Sequence, residues 1–186
     1  MNQKHQIVFM GSPEFGLPTL AHLHQRNDTQ LIGIITQPDK KKGRGKILSP
    51  TPIKQWALNH GIPVSCPTQK SELAPQLKQW KPTLIIVIAY GMILPQEIIK
   101  TYRCINAHAS LLPKYRGASP IQAALLHNEL KTGITLIEMN EKMDEGNMLL
   151  SKSIVINQTD NFKTLHDQLS TLCANSIQTY LNHPQE

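Results

Sequence analysis

Two stretches constrain the fold of this chain more than any other feature: QLIGIITQ at residues 30–37 and TLIIVIAYG at residues 83–91. Both are short, β-rich and almost continuously apolar, where a strand with one wet face would alternate. Such runs fit strands buried on both faces, as in a parallel sheet flanked by helices. The opening QIVFMGSPEFGLPTLAHLHQ reads the same way: a strand from Gln6 to Met10, a tight turn at Gly11 to Pro13, then a helix to Gln25. Pro18 is tolerated there because it falls in the helix's first turn. Further helices are expected at Ile53–Asn59, Glu72–Trp80, within LPQEIIKTY and over Pro120–Leu130, with a short strand at CINAH. TGITLIEM and LLSKSIVI read as strands joined by the polar loop NEKMDEGN. A last helix, capped by Thr159 or Asp160, carries Phe162, Leu165, Leu169, Leu172, Cys173, Ile177 and Tyr180 at helical spacing. Strands and helices alternate through two-thirds of the chain, so the class is α/β.

Composition narrows the setting. The 186 residues suffice for one domain with a continuous core, and 40% hydrophobic against 17% charged residues describes a globular protein. No apolar stretch approaches the roughly 20 residues of a membrane span. Cys66, Cys104 and Cys173 are scattered and form no CxxC pair, so neither a disulfide framework nor a cysteine zinc site is expected, and a reduced cytoplasmic setting is. The net charge of +6 is concentrated in KKKGRGK at residues 40–46, inside the long connection Gln37–Pro52. A generic basic run is more often a solvated loop than a binding element, but connections of this length are usually functional or mobile.

In an open parallel sheet, ligands bind at the carboxyl ends of strands. Three features fall there: Asn106 and His108 in CINAH, Tyr90 and Gly91 after the run 83–89, and Asp144 with Gly146 before the final strand. Strand alternation puts Asn106 and His108 on one side. An amide and an imidazole together can stabilise a developing oxyanion, and a neighbouring carboxylate can fix the ring's tautomer and help move a proton. Taken alone, Asn-x-His is more often structural: Asn106 capping a turn, His108 a satisfied buried histidine, Asp144 a loop acid. Other chemistries lack their signatures. GSPEFG is not the G-x-G-x-x-G of a dinucleotide site, and there is no Walker lysine motif and no G-x-S-x-G elbow. His22 and His24 cannot share a helix face as metal ligands.

CINAHASLLPKYRGASPIQ, VIAYGMILP and MDEGNM, in this order, resemble the folate-dependent formyltransferases, which carry Asn-x-His at a strand end, a following Ser-Leu-Leu-Pro and a downstream Asp-x-Gly. FMGSPEFGLPTL and TQPDKKKGRGKILSPTPIK resemble the branch of that family that formylates methionyl initiator tRNA. The resemblance covers the chain to about Tyr180. It implies the formyltransferase fold, a Rossmann-like, mostly parallel twisted sheet with helices on both faces. It also implies formyl transfer from 10-formyltetrahydrofolate as co-substrate, without a metal, to the methionine amine on initiator tRNA during translation initiation.

On that resemblance the catalytic residues are Asn106, His108 and Asp144. Folate contacts are expected from Ile88, Tyr90, Gly91, Ser110, Leu111, Leu112, Pro113, Asn140 and Met143. Lys40, Lys41, Lys42, Arg44 and Lys46 become candidates for phosphate contacts on the tRNA, Arg44 foremost. The family usually continues into a basic C-terminal β-barrel. This sequence stops at Glu186, so residues 1–186 are expected to form the catalytic domain without that barrel, as a cytoplasmic monomer. The rivals are a sibling enzyme that formylates a small amine, such as an amino sugar nucleotide or a purine-pathway intermediate, and a non-catalytic folate- or RNA-binding remnant.

Overall fold

The computed structural model describes residues 4–42 and 47–183, with the side chain of Lys42 outside that description. The chain forms two compact units, residues 1–104 and 105–186. The first runs β1 (His5–Gly11), α1 (Leu17–Gln25), β2 (Thr29–Ile35), β3 (Lys40–Lys42), β4 (Ile47–Ser49), α2 (Pro52–Asn59), β5 (Val64–Ser65), α3 (Leu73–Trp80), β6 (Leu84–Ile88) and α4 (Gln96–Thr101). The second holds α5 (Pro120–Leu126), β8 (Lys131–Glu138), β9 (Asn147–Val155) and α6 (Phe162–Asn182), and opens on β7 (Cys104–His108), whose first residue closes the unit before it.

In the first unit the strand order is β5-β2-β1-β6 and every one of these pairs is parallel. The chain leaves β1 toward β2 and β5, then returns to β6 on β1's other side, so the order reverses at β1. Ile7, Val8, Phe9 and Met10 are all fully buried. Neighbours on a strand point to opposite faces, so both faces of β1 are covered, which is what the unbroken apolar run requires. Each such side chain contributes roughly 1.5–3 kcal/mol relative to leaving it in water.

Two glycines show what covers each face. Gly33 lies opposite Val8, and a Cβ there would fall 2.5 Å from Cζ3 of Trp80, so the last side chain of α3 lies flat on that face. Phe9, on the other face, reaches Gly16, where a Cβ would also meet Cδ1 of Ile53 on α2 at 3.3 Å. Helices thus cover both sides of this sheet.

The second unit differs in hand of pairing. β7 with β8, and β8 with β9, are antiparallel. The expected mostly parallel sheet therefore holds through the first unit and gives way to a meander in the second. α6 packs on β8 and β9 through Leu165, Leu169, Cys173 and Ile177. Its cap is Asn161, whose side-chain oxygen accepts from the backbone N–H groups of Lys163 and Thr164, in place of the expected Thr159 or Asp160. Asp160 instead accepts from the Thr164 hydroxyl and the Gln168 amide. Phe162, read as part of the apolar stripe, is 46% exposed because it precedes the first turn that faces the sheet.

The helix expected over Pro120–Leu130 stops at Leu126. Asn128 takes φ 50°, a left-handed conformation that Asn tolerates, and the Glu129 N–H turns back to the Ala124 carbonyl.

Gly33→Ala should destabilise the protein by about 1–3 kcal/mol in urea unfolding, the usual size of an overpacking strain. Adding Trp80→Leu should recover part of that loss; no recovery would mean that the indole is not the obstacle. Burial, with smaller contributions from Cys66 and Glu72, pushes the Tyr90 phenol up to about 12. The native state therefore holds that proton where an unfolded tyrosine releases it. Tyr90's contribution is intact below about pH 10 and is lost as pH rises toward 12. In an ultraviolet titration Tyr90→Phe should remove a tyrosine that titrates near pH 12.

Candidate active site

β7 ends on two polar residues because strand alternation gives Asn106 and His108 one face, while Ile105 and Ala107 fill the other. His108 is 7% exposed. Across the β7–β8 ladder it lies opposite Thr135, itself fully buried. The antiparallel register has a consequence for Asp144. β8 finishes at Glu138, opposite Ile105, so the β8–β9 loop begins beside the start of β7 and not at its carboxyl end. The loop bends back to lay Asp144 against Asn106 and His108. Gly146 makes the bend possible: a Cβ at this position would overlap the Glu138 carbonyl oxygen. Asn140 spends its side chain on the same loop, donating to the Glu145 carbonyl and accepting from the Lys142 N–H. Met143 is 58% exposed on it.

The Asp144 carboxylate, only 10% exposed, is the meeting point. Its Oδ1 accepts from Asn106 Nδ2 at 3.3 Å, and its Oδ2 accepts from the Gly117 N–H at 2.9 Å. The same Oδ2 lies 3.6 Å from His108 Nδ1, within reach as an ion pair but beyond a hydrogen bond. On its far side His108 uses Nε2, 2.8 Å from the Tyr115 carbonyl. A carbonyl only accepts, so Nε2 carries a proton. With Nδ1 turned to a carboxylate, both faces of the ring are satisfied together only when each nitrogen is protonated. The structure brings the three expected catalytic residues together.

The loop after β7 is folded by its own polar groups. Ser110 is fully buried; its hydroxyl donates to the Lys114 carbonyl at 2.5 Å and its carbonyl accepts from the Thr135 hydroxyl. Ser110 thus helps to fold the loop. Thr135, which the sequence reading passed over, also accepts from the Leu112 N–H. Leu111 and Leu112 are half-buried and Pro113 is exposed. Tyr115 and Gly117 were missed as well. Gly117 takes φ 97°, which a side chain would resist, and this turns its N–H onto Asp144. The signal that could have found these residues is the run KYRG itself, four residues of differing chemistry directly after the loop.

In the first unit, Ile88 and Tyr90 are buried at and just beyond the end of β6, and Gly91 follows with φ 81°. Tyr90 offers its carbonyl to the Ser12 hydroxyl, while its own buried hydroxyl has no hydrogen-bond partner among the described residues. The basic connection is a β3–β4 hairpin, antiparallel from Lys40 opposite Ser49 to Lys42 opposite Ile47. Lys40 and Lys41 are exposed on it. Arg44 and Lys46 lie outside the described residues. Two contacts close the hairpin's base: the Thr36 and Thr51 hydroxyls at 2.7 Å, and Lys54 Nζ with Asp39 Oδ1 at 2.7 Å. Among the described residues no group of His, Cys, Asp or Glu is placed to hold a metal ion, and no helix is long and apolar enough to cross a membrane.

Known proteins match both the sequence and the fold. A methionyl-tRNA formyltransferase of Geobacter metallireducens is 45% identical over 183 residues, covering 96% of this chain and 58% of that protein. One from Bacillus subtilis is 46% identical over 170 residues, covering 89% and 53%. The chain thus spans less than two thirds of the length of these relatives. Among solved structures, phosphoribosylglycinamide formyltransferase from Bacillus halodurans superposes with a TM-score of 0.77 at 20% identity, covering 91% of this chain and 90% of that one. A formyltetrahydrofolate deformylase from Pseudomonas syringae gives 0.78 at 21%, covering 97% and 62%. At such identity these two speak for the fold alone, which is that of the Rossmann-like formyltransferases. The sequence model of the family described as formyl transferase matches residues 4–180. With nearly its whole length matched, this chain belongs to the formyl transferase family.

Proposed function

We propose that this chain transfers the formyl group of 10-formyltetrahydrofolate to the α-amino group of methionine on initiator tRNA. The observation that carries the reading is the convergence of Asn106, His108 and the Gly117 N–H on the carboxylate of Asp144. The names of the relatives that match most of the chain support the choice of donor and acceptor.

The chemistry follows from the donors available. The methionine amine attacks the formyl carbon and the carbonyl oxygen takes up negative charge. Asn106 Nδ2 keeps one N–H beyond the 3.3 Å bond to Asp144, and His108 Nδ1–H is held only loosely at 3.6 Å. Both are therefore free to turn to the oxyanion, and preorganised donors of this kind are typically the largest single contribution to such a step. Collapse breaks the bond between the formyl carbon and N10. The amine nitrogen gives up one proton and N10 gains one, with Asp144 and His108 as the groups placed to carry it. Ile88, Tyr90, Gly91, Ser110, Leu111, Leu112, Pro113, Asn140 and Met143 are assigned to folate on family resemblance. Lys40 to Lys42, Arg44 and Lys46 are assigned to tRNA phosphates. The exposure of Lys40 and Lys41 supports that second assignment.

His108→Ala and Asn106→Ala should each lower kcat on the order of 10²–10³-fold, the loss typical of one oxyanion donor. Tetrahydrofolate affinity, read by calorimetry, should stay close to wild type. Wild-type turnover in His108→Ala would sink the reading. Arg44→Ala with Lys46→Ala should weaken initiator tRNA binding and flatten its logarithmic salt dependence by about one per cation removed. An unchanged slope would remove the hairpin from the tRNA contact.

A further inference from the structure

The run KYRG is tied down residue by residue. The Lys114 carbonyl accepts from the Ser110 hydroxyl and its ammonium reaches Glu129 Oε1 at 2.8 Å. The Tyr115 carbonyl accepts from His108 Nε2, while its phenol donates to the same Glu129 Oε1 at 2.7 Å. Arg116 pairs with Glu145 at 3.0 Å, and the Gly117 N–H holds Asp144. Tyr115 itself takes φ 56°, a conformation that a bulky residue adopts only when its surroundings impose it. In that conformation the carbonyl faces the imidazole, and at the far end of the side chain the phenol is anchored on Glu129. The ring of His127 lies 5.5 Å from the tyrosine ring, centroid to centroid, and flanks it.

Glu129 is delivered there by local sequence. Asn128 turns left-handed after α5, the Glu129 N–H closes on the Ala124 carbonyl, and the side chain, 22% exposed, faces back to the loop. The Lys114 ammonium, and after it the Tyr115 phenol, hold its carboxyl below the usual carboxylate range, so it accepts from both in its ionised form.

From this chain of contacts we infer that Glu129 is a positioning residue for the reaction: through the Tyr115 hydroxyl it fixes the backbone carbonyl that locks the orientation of the His108 ring. The inference rests on His108 being the catalytic imidazole. Without the Glu129–Tyr115 bond, Tyr115 is free to relax from φ 56° and the carbonyl leaves Nε2. The ring can then rotate, and Nδ1–H is no longer held where the oxyanion forms.

The test compares Glu129→Ala, Glu129→Gln and Tyr115→Phe in the full chain. Formyl transfer to methionyl initiator tRNA is assayed beside ¹⁵N–¹H spectra of the histidine side chains, His108 being assigned from His108→Ala. Glu129→Ala and Tyr115→Phe should each lower kcat about tenfold, the scale of a modest misplacement of a catalytic group, with KM for the formyl donor within about twofold. The His108 Nε2–H signal, protected from exchange in the wild type, should broaden or vanish in both. Glu129→Gln keeps an acceptor for the phenol and should restore the signal and most of the rate. An unchanged Nε2–H signal in Glu129→Ala overturns the inference whatever the rate does, since any loss of rate would then come from general destabilisation. The spectra need no turnover, so they decide the matter even if His108→Ala proves as active as the wild type and the catalytic reading itself fails.

Discussion

The carboxylate of Asp144 organises the second unit. A charged group at 10% exposure is stable only if its oxygens are met by partners; here the Gly117 N–H and the Asn106 amide donate to them, and the His108 ring stands within ion-pair reach. Those donors come from the end of β7 and from the loop that follows it; the carboxylate comes from the connection between β8 and β9. A single buried charge therefore fixes two loops against each other. The left-handed turns at Gly117 and Asp144 and the close approach at Gly146 are the backbone concessions that allow it. Loss of the carboxylate would leave the Gly117 N–H and Asn106 without partners as well as removing a charge, so chemistry and local order depend on the same atoms.

Around that centre, hydrophobic burial supplies rigidity and polar contacts supply aim. The unbroken runs in β1 and β6 place no polar side chain where it would need a partner, which leaves hydrogen-bonding groups for the strand ends. Thr135 shows how a polar side chain is accommodated inside a strand. Fully buried, it donates to the Ser110 carbonyl and accepts from the Leu112 N–H, so its hydroxyl stitches the post-β7 loop to β8. A valine of the same shape would pack equally well and leave two backbone groups unpaired.

How much of this was legible in the sequence depends on range. The α/β class, the helices and the long strands could be read because apolar periodicity is local, and the Asn106–His108–Asp144 set because the ordered motifs resemble a known family; the short strands β3, β4 and β5 were not read. Antiparallel pairing of β7, β8 and β9 was not read, since a short buried strand carries no mark of its neighbour's direction. The early end of α5 hung on the backbone of Asn128, where helical pattern and turn propensity compete. Asn161 displaced Asp160 as the cap of α6 because several cap-forming residues in a row leave the choice to tertiary geometry. Glu129, Thr135 and the Tyr115 carbonyl were invisible for another reason. Two are ordinary side chains and one is a backbone atom, and each acquires a role only through contacts 7 to 25 residues away in sequence.

The contacts at the base of the β3–β4 hairpin bear on how such a chain can change. The Thr36–Thr51 hydroxyl pair and the Asp39–Lys54 ion pair bring the two stems together at the start of the β3–β4 ladder. Thr51 also caps α2, so the closure is built into the helix's own start. Lengthening a loop whose ends are already held adds only a slowly growing entropic penalty. The connection between these stems can in this sense change without disturbing the sheet. Its length and charge can drift while β1, β2 and α2 stay as they are, so the most basic stretch of the sequence is tied to the fold only at its two ends.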